Sequence, residues 1–290
     1  MTPTVYIVVG PTAVGKTKYA ITLAQKLKTE IISADARQCY QELNIGVARP
    51  SLEELATVPH HFIASHSIQE TVNAGTFEQY ALAKATELLA QFGSVVMVGG
   101  TGLYIKAFVE GMDQIPAIDA AIRSQIQADV SLKGMDWLQA QVQAKDPAYW
   151  AQAEQGEQQN IQRLSRALEV VIGTGQSILS FQLQSKKTRP FYIKKIGLEL
   201  PREQLYDRIN QRVVQMIEMG LEEEVNGLRP QFHLNALQTV GYQEWLPYFE
   251  GQQTKEAVIQ AIQQNTRHYA KRQLTWFKKD PEINWSQMAS

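Results

Sequence analysis

Residues 10–17 read GPTAVGKT, a glycine-rich run that closes on Gly15, Lys16 and Thr17 and follows the apolar stretch 5–9. The spacing matches the phosphate loop G-x-x-x-x-G-K-[ST] in the context that motif needs, a strand before it and a helix after. Gly10, Pro11 and Thr12 open the loop. Backbone N–H groups of Ala13, Val14, Gly15, Lys16 and Thr17 can point at phosphate oxygens; Lys16 adds a full charge, and the Thr17 hydroxyl can ligate Mg²⁺. A second reactive group, Asp35, lies just past the short apolar strand of EIISADARQCY, where open α/β sheets place ligands. A third apolar run, SVVMV at 94–98, ends on Gly99, Gly100 and Thr101. P-loop hydrolases usually carry a carboxylate at such a strand end to organise Mg²⁺ and water. Here two small residues leave room for a ligand, and the Thr101 hydroxyl can hydrogen-bond without acting as a carboxylate. One carboxylate, Asp35, therefore faces the loop. It is a candidate base, with a turn cap or a Mg²⁺ ligand as the alternatives.

The elements that position these groups follow from periodicity. Ala20, Leu23, Ala24 and Leu27 repeat at helical spacing through the segment from Lys16 to Lys28, and 76–92 reads as another helix. Strand, loop and helix alternate up to Thr101, where a further helix opens. This predicts an α/β fold: a P-loop parallel-sheet core with helices on both faces. From Ile115 the texture changes. Residues 115–188 are rich in Gln and Ala and carry helical periodicity at 121–132, 136–143 and 160–173, and they lack strand runs. They read as a helical insertion subdomain within a core made of 1–114 and 189–290. The basic stretch KKTRPFYIKK (186–195) leads into KIGLEL, a return strand. Helical patterns follow at 202–219, 221–228 and 254–279, the last bearing Arg267, Lys271, Arg272, Lys278 and Lys279 among Tyr269, Trp276 and Phe277.

Bulk properties narrow the class. The 290 residues are 44% hydrophobic, enough to bury real cores. Lys and Arg number 28 against 29 Asp and Glu, so any nucleic-acid site must be a local patch. The single cysteine, Cys39, can form no internal disulfide, which fits a cytoplasmic protein. No basic start precedes a long apolar run, and no stretch of about 18 apolar residues occurs, so no membrane partner is expected.

GPTAVGKT, SADARQCY, NIGVARP, PHH, VGGTGLYIKA, QRLSRALEV, RVVQMIEMGLEEEV, TVGYQEW and NTRHYAKRQLTWFKK occur in one order between about residues 7 and 279. In this ordered set the chain resembles the tRNA dimethylallyltransferases, also called tRNA isopentenyltransferases. The resemblance implies transfer of a dimethylallyl group from dimethylallyl diphosphate to the exocyclic amine of the adenine 3′ of a tRNA anticodon, with release of diphosphate, a need for Mg²⁺ and a monomeric enzyme. On this reading the loop holds a leaving group, and Lys16, the loop amides and Mg²⁺ are aimed at the charge left on it. The resemblance assigns the general base to Asp35, places Thr101 where the adenine enters and directs Arg212 at the diphosphate. An exposed helical ion pair is the other reading of Arg212, and Arg208 is a weaker candidate.

An adenine in a stacked loop must be flipped out to reach a buried carboxylate. The resemblance places tRNA contacts at Asp35, Ala36, Arg37, Gln38, Thr101 and Arg123, and along Gln159, Asn160, Ile161, Gln162 and Arg163. Lys271 and Arg272 suit phosphate contacts, or else a solvated helix face. The chain departs from the commoner family pattern at Ala36 (a frequent serine), Asn160 (commonly acidic), and Asn44, Val47 and Arg49 (usually Asp, Thr and Lys). His60 and His61 lack partners at zinc-ligand spacing. Cys39 reads as packing, and Trp137, Tyr149 and Trp150 as a small helical core. Rival functions are prenylation of free adenylate, a P-loop small-molecule kinase using ATP, and a nucleotide-gated RNA-binding module.

Overall fold

The computed structural model describes residues 2–182 and 186–288. The β-branched run TVYIVV forms β1 (Thr4–Val9), almost wholly buried, as a strand covered on both faces must be. There follow α1 (Lys16–Leu27), β2 (Ile31–Ser33), α2 (Leu52–Thr57), β3 (His60–His61), α3 (Ala74–Phe92), β4 (Ser94–Val98) and α4 (Gly102–Glu110). A helical section holds α5 (Ala120–Lys145), α6 (Pro147–Gln152), α7 (Gln155–Gln158) and α8 (Ile161–Thr174). The chain then returns through β5 (Tyr192–Glu199), α9 (Arg202–Glu218), α10 (Leu221–Gly227), α11 (Leu246–Phe249), α12 (Lys255–Phe277) and β6 (Ile283–Gln287).

The strands pair in the order β3-β2-β4-β1-β5-β6, every pair parallel. Parallel neighbours need crossovers, and these lay helices on the sheet faces. Side chains alternate accordingly. Val8, Ile31, Val96 and Val98 pack with Ala20, Ile21 and Ala24 of α1, with Leu205 and Ile209 of α9, and with Ala270 of α12. Val5, Ile7, Val95 and Met97 point the other way and are fully buried, on the face where α3 lies against β1, β2 and β4 and packs on α4. Register sets the site. Val8 sits opposite both Val98 and Ile196, and Ser33 is also opposite Val98, so the turns leaving β1, β2 and β4 open at one level of the carboxyl edge.

The chain divides into two compact units, Met1–Gly111 with Lys187–Ser290, and Met112–Lys186. The first contains the whole sheet. In the second, Ile126, Leu138, Val142, Leu164 and Leu168 form a core against which Trp137, Tyr149 and Trp150 pack. Its first two helical patterns join as α5, broken at Gly134, whose φ of 76° no helix interior adopts. Residues 183–185 of the expected insertion lie outside the described residues. Among the described residues no helix is long and apolar enough to cross a membrane.

The structure corrects the sequence reading at two strands. The end of the basic leader 186–195 is itself strand, because Tyr192, Ile193 and Lys194 pair with Thr4, Val5 and Tyr6 of β1, and Lys195, only 6% exposed, donates to both Asp280 and Glu282 at 2.7 Å. Burial alone would lower its pKa, but these two hydrogen bonds outweigh it and raise the value. The same carboxylates lead into β6, a sheet edge whose alternation of Ile283 and Trp285 with Asn284 and Ser286 is too short to mark a strand in the sequence. Removing both carboxylates, as Asp280→Asn with Glu282→Gln, is expected to cost about 1–3 kcal/mol by leaving a buried ammonium poorly paired. Urea unfolding of the double variant measures it.

Candidate active site

The loop after β1 is shaped to present its amides. Gly15 takes φ 102°, a left-handed value, and caps α1 without a side-chain hydrogen bond. The first-turn N–H groups of Lys16 and Thr17, which a helix cannot satisfy internally, stay directed toward the loop mouth. Thr12, Ala13, Gly15, Lys16 and Thr17 line a cavity of about 960 Å³ at the carboxyl edge. The other loop residues build it from behind. A Cβ on Gly10 would lie 2.5 Å from the Leu198 carbonyl oxygen, Val14 is fully buried, and Pro11 offers its carbonyl to Lys16 Nζ at 2.7 Å. Val14 N–H turns back to Pro11 at 3.4 Å, so that amide is partly spent inside the loop.

Two of the cations that line the cavity, Lys16 and Arg212, meet beside the loop. Arg212 of α9 reaches Thr12 Oγ1 at 3.4 Å and lines the same space, so it is no exposed helical ion pair. Burial lowers its pKa, yet a guanidinium remains charged. The Lys16 amine is pushed down to about 7, first by burial, then by Arg212, with Asp35 pulling the other way. Both donate to neutral acceptors, a carbonyl and a hydroxyl. The arrangement is that of an anion site.

Asp35 shares the cavity. Its Oδ1 accepts from the N–H groups of Arg37 (2.9 Å) and Gln38 (3.2 Å), so the carboxylate caps the turn that follows β2 and also faces the loop. Thr101 binds that turn to the one after β4. Its Oγ1 accepts from Ala36 N–H at 3.0 Å, and its own N–H donates to the Ala34 carbonyl at 3.3 Å. Gly99 and Gly100 line the cavity, as their smallness predicts, and the direction a side chain would take at each is filled by protein: a Cβ on Gly99 would meet the Ala34 carbonyl oxygen at 2.1 Å, and one on Gly100 would meet Gln273 Nε2 at 2.1 Å. Glycine is needed there for close packing of backbone and amide. Gln38 also lines the cavity, and its Nε2 donates to the carbonyls of Val47 (3.2 Å) and Ala48 (2.9 Å). Arg37 reaches Asn235 Oδ1 at 3.3 Å.

Several residues of the site escape a reading of the sequence. Gln273 accepts from Thr12 N–H at 2.8 Å and donates to the Gly100 carbonyl at 3.0 Å. One turn earlier Tyr269 lines the cavity under the Arg272 guanidinium, and burial, then Asp35, raises the pKa of its phenol. Glu224 pins the wall at 44–48, accepting from Ile45 N–H (2.8 Å), Gly46 N–H (3.1 Å) and the Tyr242 hydroxyl (2.5 Å). Arg49, noted only for its charge, clamps the preceding loop through the carbonyls of Tyr40 (2.6 Å), Gln41 (3.0 Å) and Leu43. Cys39 is a packed thiol, its pKa raised to about 12 chiefly by burial. His61 pairs with Glu30 at 2.6 Å, and His60 Nδ1 bonds the Val58 carbonyl at 2.7 Å.

In the second unit, Arg123 forms a two-pronged pair with the buried Glu169 (3.2 and 3.1 Å), which Arg166 joins at 3.0 Å. Asn160 caps α8 by accepting from Arg163 N–H at 3.1 Å, and Arg163 pairs with Glu157. Gln159 closes α7, while Ile161 and Gln162 are exposed in the first turn of α8. Lys271 and Arg272 are exposed on α12 in the first unit.

A sequence model of the IPP transferase family matches residues 38–280. The tRNA dimethylallyltransferase of Christiangramia forsetii is 48% identical over 96% of this chain and 91% of its own length. Among solved structures, the full-length tRNA isopentenylpyrophosphate transferase from Bacillus halodurans is 35% identical, with a TM-score of 0.70 over 98% of this chain and 90% of that one. A eukaryotic dimethylallyltransferase solved acting on tRNA shares the fold at a TM-score of 0.79, with 23% identity over 99% of this chain and 74% of that one.

The depressed Lys16 makes a testable demand. With its pKa near 7 in the free cavity, Lys16 must take up a proton to pair with an anion, so affinity for inorganic diphosphate should fall as pH rises above 7. The slope is up to tenfold per pH unit. Lys16→Arg, which stays protonated, should flatten that part of the slope. Dissociation constants of both proteins between pH 7 and 9 check it, since the titration of diphosphate itself is common to the two.

Proposed function

The chain belongs to the IPP transferase family, and from that premise we propose that it transfers a dimethylallyl group from dimethylallyl diphosphate to the exocyclic amine of the adenine 3′ of a tRNA anticodon. The observation that carries this reading is the meeting of Lys16 and Arg212 with the Asp35 carboxylate in a single cavity beside the phosphate loop. Two cations beside the loop suit a diphosphate, and Asp35 suits a base, since the other lining carboxylate, Glu54, accepts from Ser51 N–H in a helix cap.

In the reaction the carbon–oxygen bond to the diphosphate breaks, and the electron pair stays on the leaving group. The loop amides of Lys16 and Thr17, the Lys16 ammonium and the Arg212 guanidinium oppose that growing charge in a desolvated site, where such contacts act strongly. The adenine amine, a weak nucleophile because its lone pair is delocalised, forms the new carbon–nitrogen bond and passes its proton to Asp35. The turn cap on Oδ1 holds the carboxylate still while the other oxygen is left for the proton. Mg²⁺ fits the hard oxygen of the Thr17 hydroxyl in this cavity and would neutralise diphosphate charge when bound. Arg37, Gln38, Arg123, the stretch Gln159 to Arg163, Lys271 and Arg272 are the proposed tRNA contacts, with Thr101 and Ala36 shaping the entrance. The reading is of a monomer acting in the cytoplasm.

Intact mass of an anticodon stem-loop RNA, after incubation with protein, dimethylallyl diphosphate and Mg²⁺, tests the proposal. A gain of one dimethylallyl group, lost when the target adenine is replaced, is expected. Gain on free adenylate alone would turn the reading to a nucleotide prenyltransferase, and phosphoryl transfer from ATP to a kinase. Because an amide oxygen can still cap the turn, Asp35→Asn removes the base and spares the structure. It should lower turnover about 10²- to 10⁴-fold with RNA affinity within a few-fold of the parent, and an undiminished rate would take the base role from Asp35.

A further inference from the structure

The strand beside β1 is β4, and in P-loop nucleotide hydrolases the end of a neighbouring strand carries the carboxylate that organises Mg²⁺ and water. Here β4 ends at Val98 and runs into Gly99 and Gly100, and the direction a side chain on Gly100 would take is already occupied. A Cβ on Gly100 would lie 2.1 Å from Gln273 Nε2 and 3.8 Å from Lys16 Nζ. An uncharged amide, delivered from α12, thus stands just past the strand end, where a side chain on Gly100 would project. Both of its polar ends are used, with Oε1 accepting from Thr12 N–H (2.8 Å) and Nε2 donating to the Gly100 carbonyl (3.0 Å), and the residue is 6% exposed. A flipped amide would oppose donor to donor and acceptor to acceptor, so its orientation is fixed. Through Thr12 the link extends to Arg212.

We propose that Gln273 is a positioning residue that closes the diphosphate cradle with a neutral group, joining the turns after β1 and β4 while leaving Lys16 and Arg212 for the diphosphate. This rests on reading the loop as a diphosphate site. The residue type follows from the geometry, since the place needs one donor, one acceptor and no charge. A glutamate could still accept from Thr12 N–H. Its other oxygen, however, would face the Gly100 carbonyl and give Lys16 an internal anion that competes with substrate. A methionine would keep the length and lose both bonds without adding charge.

Inorganic diphosphate with Mg²⁺ is titrated calorimetrically into the parent protein, Gln273→Glu and Gln273→Met at pH 7.5. Donor and RNA kinetics are measured alongside, and thermal unfolding checks the fold. Gln273→Met should weaken diphosphate binding about threefold or more and Gln273→Glu about tenfold beyond that. The loss should appear in the KM for dimethylallyl diphosphate and leave the KM for RNA unchanged. Diphosphate binding by Gln273→Glu within twofold of the parent, or equal losses in the two variants, would overturn the proposal. If the glutamate variant does not fold, the methionine variant decides alone, unchanged affinity overturning the idea. Should the parent transfer no dimethylallyl group while diphosphate still ranks the variants as stated, the proposed function fails and this inference stands.

Discussion

Two positive charges held together away from water are costly until an anion joins them, and the core of this protein is arranged around that cost. Lys16 arrives from the start of α1 and Arg212 from α9, and their mutual repulsion, added to burial, depresses the lysine. The group burdens the fold below pH 7, and the burden lifts as pH rises toward its unfolded value of 10.5. Bound diphosphate would relieve the same burden by mass action. The site therefore holds in reserve, as unfavourable electrostatics, part of what the ligand later gains.

What the sequence makes legible is local. The phosphate loop is a contiguous spacing whose strand and helix are its neighbours, so GPTAVGKT is readable in isolation, and Asp35 follows from its place past a short strand. The contacts that finish the site join distant parts of the chain. Gln273 meets Thr12 across 261 positions, and Glu224 meets Ile45 across 179. Nothing in a window of a dozen residues marks a glutamine on a long helix as the partner of a loop amide. Gly99 and Gly100 show the same limit from the other side: smallness is visible, but whether it admits a ligand or a neighbouring backbone depends on what folds against it.

Two polar residues of the second unit, one substituted and one retained, have local duties. Asn160 stands where an acidic residue is common among the proteins this chain resembles, and the structure has it accept Arg163 N–H at the start of α8. Asparagine and aspartate both perform that duty, so the helix start survives the change with one charge fewer. Arg123 likewise has a partner within the unit, the buried carboxylate of Glu169, which fixes how its guanidinium is presented.

The order of strands in the sheet has a consequence for synthesis. β1 is flanked by β4 and β5, and Thr4 pairs with Tyr192, so one side of the strand stays open while about 190 further residues are made. At ribosomal speeds of roughly 5–20 residues per second, that interval is on the order of ten to forty seconds. An apolar strand with one unpaired edge is a template for stray association throughout it. The nascent chain thus spends its most vulnerable period with its phosphate loop translated but its sheet incomplete, a window in which chaperone capture has most to act on.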